Sequence, residues 1–132
     1  MNNLKWLNKF KDLEFGINLP ISTKEINEIE SIINFSFPEE IIQLYLLMNG
    51  QKSREYTKQH LCYLLPMNEI KEIYFSLNKN DFIPIVDYAF GCDYVGFIRN
   101  KKGLFFYEGS LLNEEYYIAY DSIEDFLEWA YQ

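Results

Sequence analysis

Histidine occurs once in this chain, at position 60, and cysteine twice, at positions 62 and 92. A structural zinc site needs four Cys or His ligands, and a catalytic one needs three protein ligands. With no acidic or cysteine cluster beside it, His60 makes a poor metal site, and it is expected to serve a structural or solvent-facing role. Cys62 and Cys92 stand outside any Cys-x-x-Cys spacing, so two reduced, buried thiols are expected rather than a disulfide framework. No apolar run approaches the ~20 residues that cross a bilayer. Residues 1–15 are broken by Lys5, Lys9, Lys11 and Asp12, which is unlike the apolar segment of a signal peptide. Together these absences predict a cytoplasmic chain with no membrane span. A glycine-rich phosphate loop before a helix is missing, as is a Gly-x-Ser-x-Gly elbow. One histidine and scattered carboxylates do not assemble into an acid–base constellation. The expectation is a non-enzyme without cofactor or metal.

Basic residues are missing from one region altogether. Residues 103–132 contain Glu108, Glu114, Glu115, Asp121, Glu124, Asp125 and Glu128 and no Lys or Arg. Residues 1–102 hold twelve basic side chains against thirteen acidic ones, so most of the net charge of −8 sits in the last thirty positions. Such a surface repels nucleic acid and anionic membrane and attracts basic partners. A solvated face that keeps the protein soluble is the plainer explanation.

What the chain has in quantity is apolar and aromatic residues. Of its 132 residues 48% are apolar, and it carries 11 Tyr and 11 Phe. That is enough for one domain with an aromatic core. The pattern is organised around residues 37–50. Pro38 suits a first helical turn. Glu39 and Glu40 suit the positive end of the dipole. Ile41, Leu44, Tyr45 and Met48 form an apolar stripe, which Ile42, Leu46 and Leu47 widen, predicting burial on more than one side. Asn49-Gly50 is the expected stop.

Upstream, residues 2–15 predict a short helix and 16–20 a connector. Ser22 with Glu25 is a capping box for a helix whose stripe is Ile26, Ile29, Ile32 and Ile33. Downstream, 51–60 reads as an exposed loop and 61–65 as a strand. Asn68 is the expected cap of a helix to about Leu77, with Ile70, Ile73 and Tyr74 on one face. A strand follows over 82–86, where Pro84 implies an edge or a break in the ladder. Next come a loop over 87–93, a hairpin of 94–99 with 104–107 around Gly103, a loop over 108–115 and a half-buried strand over 116–120. Asp121 or Ser122 then caps a last helix with the stripe Ile123, Phe126, Leu127 and Ala130.

Three segments carry a family resemblance: Phe37-Pro38-Glu39-Glu40 with Asn49-Gly50, then Phe82-Ile83-Pro84-Ile85, then residues 118–127 around Asp121-Ser122. In this order they resemble the SUKH superfamily, whose best-known branch is that of the yeast cell-wall synthesis regulator. Gly50-Gln51 departs from the usual double glycine, and Tyr107-Glu108 from an aromatic-Asp pair. The resemblance implies a single SUKH-like α+β domain over 1–132, its family core at 19–132 after an N-terminal helix and connector over 1–18. An antiparallel sheet of about four to six strands would have helices packed around it. The short acidic chain resembles the bacterial members, largely immunity proteins without catalytic residues that bind cognate polymorphic toxins, many of them nucleases.

The resemblance therefore implies a toxin partner, basic and nuclease-like, docked on an acidic surface. Asp87, Asp93, Glu108, Glu114 and Glu115 lie in loops joining successive strands and are expected to gather at one end of the sheet. Glu108, Glu114, Glu115 and Asp121 would steer encounter, with Tyr107, Tyr116 and Tyr117 as aromatic anchors. The rival reading is an intracellular scaffold or a small-ligand regulator with a pocket between sheet and helices. Oligomeric state has no sequence signature here.

Overall fold

A computed structural model describes residues 16–52, 56–57, 60–91, 93–108 and 116–131. The helix expected over 2–15, Cys92, Glu114 and Glu115 lie outside the described residues. Among the described residues, four helices pack with one sheet: α1 (Thr23–Ile33), α2 (Glu39–Tyr45), α3 (Met67–Leu77) and α4 (Ile123–Ala130). The strands are β1 (Cys62–Leu64), β2 (Phe82–Tyr88), β3 (Asp93–Ile98), β4 (Leu104–Glu108) and β5 (Tyr116–Tyr120). They lie in chain order, every neighbour antiparallel. This is the α+β architecture expected from the order of elements.

α1 opens on the expected capping box. The Ser22 Oγ accepts from Glu25 N at 3.1 Å, and the Glu25 carboxylate accepts from Ser22 N at 3.3 Å. Ile26 and Ile33 are buried and Ile29 half-buried, but Ile32 is 50% exposed. At roughly 100° per residue, Ile32 points about a quarter-turn away from Ile33, so the stripe is narrower than expected.

α2 is also shorter than its sequence pattern. Pro38 precedes its first residue, and the helix closes at Tyr45 with a tightened turn, Leu47 N donating to Leu44 O at 2.9 Å. Ile41, Leu44, Tyr45 and Met48 are fully buried. Leu46 and Leu47, past the helix end, are exposed; only one face of α2 is covered. Gly50 does not cap the helix. It takes φ +71° beside the Leu65–Pro66 peptide, where a Cβ would come within 2.6 Å of Pro66 N.

Pro66, not Asn68, precedes α3, and Asn49 Oδ1 accepts from Met67 N at 2.8 Å. Asn68 falls within the first turn. β2 lies inside the sheet, so Pro84 marks a break and not an edge. The register shifts between Pro84 and Val86, which leaves Ile85 as the bulged residue. Its carbonyl accepts from Leu65 N at 3.0 Å, and both Ile85 and Val86 enter the core.

One face of the sheet carries the main core. α3 packs on β2, α1 on α3, and α4 on β5 and α2. All four residues of the expected α4 stripe are buried there, and Ser122 caps that helix through Asp125 N at 3.2 Å. A smaller cluster forms from Phe82, Ile98 and Tyr107, with Leu77, Tyr94 and Phe105 around it.

Candidate functional site

The strand registers sort the connections into two ends. Cys62 lies opposite Tyr88, Asp93 opposite Glu108, and Tyr107 opposite Tyr116. The approach to β1, the β2–β3 turn and the β4–β5 connection therefore share one end of the sheet. Leu104 opposite Tyr120 puts Asp121 at the other end.

Asp93 and Glu108 are half-buried and directly opposed across β3 and β4. Like charges facing each other in this way oppose strand pairing. The register sets two acidic residues side by side on neighbouring strands, where a partner's cation would find two carboxylates. Asp121 is exposed and stands apart from both. Glu114 and Glu115 lie outside the described residues; Tyr116 begins β5, and its side chain lies outside them too, as does that of Tyr117.

Two expected contact residues are inside the protein. Asp87 is fully buried. Its carboxyl accepts from Tyr56 Oη at 2.7 Å and from Gly91 N at 2.6 Å. It lies in β2 between Tyr63 of β1 and Tyr94 of β3, which is why no surface remains to it. Tyr107 is 9% exposed and stacks on Phe82, with ring centroids 5.3 Å apart. Its strand position faces the smaller cluster, so it is packing and not an anchor.

What Asp87 holds is the β2–β3 turn. Ala89, Phe90 and Gly91 have φ of 60°, 59° and 82° in succession. Left-handed backbone at alanine and phenylalanine costs of order 1 kcal/mol each. The bond from Gly91 N to Asp87 and one from Ala89 N to Leu61 O at 3.0 Å fix it. The turn projects Phe90, 65% exposed, with its ring 4.6 Å from that of Tyr56. Sequence reasoning missed Phe90. The available signal was an aromatic residue directly before the glycine of a turn bounded by two aspartates.

Behind the turn, His60 and Cys62 do not form a nucleophile–base pair. Cys62 Sγ donates to the His60 carbonyl at 3.4 Å, while the imidazole lies against Trp129 with centroids 3.9 Å apart. Burial, more than any other influence, pushes the Cys62 thiol up to about 12; Thr57 opposes this and Asp87 adds to it. The thiolate is the reactive form. At pH 8, in a Cys92→Ser background, iodoacetamide should modify Cys62 about a thousandfold more slowly in the folded than in the unfolded chain. Because the folded thiol is the weaker acid, stability is retained below pH 9 and falls as pH rises from there toward 12. Fast native labelling, followed by mass, would contradict the buried placement.

Among the described residues no cluster of three or more His, Cys, Asp or Glu could hold a metal ion. Nor is any described helix long and apolar enough to cross a membrane.

The chain matches the model of the SMI1 / KNR4 family (SUKH-1) over residues 20–129. It belongs to the SUKH-1 family. The match spans the helix pair, the whole sheet and nearly all of α4. The five-stranded sheet with its helices is consistent with the SUKH fold. The family includes bacterial immunity proteins, and its domains are generally immunity or regulatory modules rather than enzymes. The family suggests a protein partner. No curated protein matches the chain significantly.

Proposed function

We propose that this SUKH-1 protein is a bacterial immunity protein that binds and neutralises a cognate toxin, a basic nuclease, without catalysis of its own. Family membership carries the reading. The chemistry at the end of the sheet supports it. Asp93 and Glu108 are opposed across β3 and β4, so a partner's Lys or Arg placed there meets two carboxylates. Phe90 stands at the same end of the sheet on a turn held by hydrogen bonds, so little conformational freedom is lost when it is covered.

The acids then act mainly on encounter and the aromatic ring on residence. Asp93→Asn with Glu108→Gln should lower the association rate with the toxin about tenfold at low salt and flatten its salt dependence. Phe90→Ala should instead speed dissociation about thirtyfold, as loss of a buried aromatic anchor does. Surface plasmon resonance at several salt concentrations separates these outcomes. The partner itself comes from affinity capture in native lysate at low and high salt. A basic, nuclease-like protein released as salt rises supports the proposal. A metabolic or cell-envelope protein held equally at both would replace it with the scaffold reading.

A further inference from the structure

The two edges of the sheet are finished differently. At β1 the groups facing away from β2 belong to Cys62 and Leu64, and all are bonded. Cys62 N donates to Thr57 Oγ1 at 2.9 Å, and its carbonyl accepts from Thr57 N at 3.0 Å. Leu64 N is shared between Gln51 Oε1 and Tyr131 Oη, each at 3.0 Å, and the Leu64 carbonyl accepts from Gln51 N at 3.0 Å. Gln51, although polar, is fully buried in doing this. β1 is a closed edge.

Among the described residues β5 has no such cover. Among the described residues its only strand partner is β4. Every second N–H and C=O of an edge strand faces outward. Natural edges are usually blunted by Lys, Pro or inward charge. Tyr116–Tyr120 contains none of these, and Ile118 is 64% exposed. A bulge at Ala119, where Tyr120 faces Leu104 but Ile118 faces Phe105, bends the end of the strand. It leaves Tyr116–Ile118 in regular register.

Charge says what this edge can receive. Glu114 and Glu115 precede β5 in sequence, Asp121, Glu124 and Asp125 follow it, and no Lys or Arg occurs in 103–132. A second copy paired antiparallel would bring Asp121 of one chain to Glu114 and Glu115 of the other. Two chains of net charge −8 would meet along their most acidic segments. An extended segment rich in Lys or Arg meets complementary charge at both ends of the strand.

We propose that β5 binds its partner by strand addition, taking an extended basic segment of that protein as a sixth strand. This rests on the reading above only in that the partner is a basic protein. Main-chain bonds to Tyr116–Tyr120 supply affinity, and the flanking acids select the sequence.

The probe is a capped peptide of alternating Lys and Val, added to the full-length ¹⁵N-labelled protein. Amides within 116–120 should gain protection from exchange and show contacts to the peptide. Methylating alternate peptide nitrogens keeps charge and side chains but removes the bonding N–H groups. It should weaken binding about tenfold, the loss of two net hydrogen bonds. Ile118→Lys, at an exposed position, should weaken binding about fivefold by repulsion along the edge. The proposal is overturned if the methylated peptide binds equally, if protection appears elsewhere or nowhere, or if Ile118→Lys is without effect. It is also overturned if the free protein sediments as a dimer with these amides already protected. Peptide addition at β5 without protection of cells from a toxin would sink the immunity reading alone. Toxin neutralisation without strand addition would sink this one alone.

Discussion

Gly96→Ala should unfold this protein more effectively than any surface change. Gly96 lies in β3 opposite Pro84, beneath the bulge of β2. A Cβ at that position would sit 2.0 Å from the Ile83 carbonyl oxygen and 2.9 Å from Pro84 Cα. Those are backbone atoms of a central strand, so no side chain can swing away. β2 must move, and it carries Ile83, Ile85 and Val86, all fully buried. Its neighbour bond from Leu65 N to Ile85 O moves with it. Overpacking of a dense core costs up to about 3 kcal/mol, and a clash with main chain lies at or beyond that limit. Urea unfolding should show the midpoint fall with little change in slope. A loss below roughly 1 kcal/mol would mean that β2 can shift away locally, and that the bulge is less constrained than its contacts imply.

The sequence showed the Pro84 break but not the reason for Gly96. Proline inside a strand pattern is a local signal. That a glycine twelve residues later must sit under it depends on the β2–β3 register, which is a property of the pair. The same division runs through the rest of the fold. Capping by Ser22 and Ser122 and the α4 stripe were legible because each is decided within one turn of helix. The length of α2 was not, because Leu46 and Leu47 are as apolar as Leu44 and only the packed structure distinguishes them. Ile32 misled for the same reason at α1.

At the site, loop position was legible and depth was not. Asp93 and Glu108 meet because both end strands at the same side of the sheet. Asp121 looked equivalent in sequence, yet one more strand length carries it to the far end. Asp87 looked like a loop acid, but β2 runs two residues further than its apolar stretch, and those residues lie between two neighbours. The alternation of a strand assigns residues to faces without saying whether both faces are covered. That is how Tyr107 came to be expected outside while packing on Phe82.

Arg99 is the clearest case of a residue whose role appears only in three dimensions, and its replacement is the second large effect expected. It follows β3 and reaches across to three other segments. Its Nε donates to Asn80 O at 2.5 Å, and one terminal nitrogen donates to Ile33 O at 2.6 Å and Tyr74 Oη at 2.8 Å. The other donates to Asn34 O. The guanidinium also lies 5.7 Å from the centre of the Phe35 ring and 5.8 Å from that of Tyr74. α1 has no basic residue in its own last turn, and Asn34 leaves the helix at φ 53°. Arg99 therefore supplies from a distant strand the positive charge and donors that the carbonyl end of α1 lacks. Arg99→Met keeps the apolar stem but leaves those carbonyls without their partner. The expected cost is about 2–3 kcal/mol, since bonds from a charged donor exceed neutral ones. Arg99→Lys should recover only a minor part, because a single compact ammonium with three donors cannot reach four diverging acceptors at once. Thermal melts should rank wild type well above Lys, and Lys above Met, by several degrees overall. Hydrogen exchange should localise the first loosening to the end of α1 and the turn at Asn80. If both variants melt with the wild type, the clasp is not what holds α1 to the sheet, and the stacking of Phe35 on Phe97, at 6.1 Å between centroids, must do so instead.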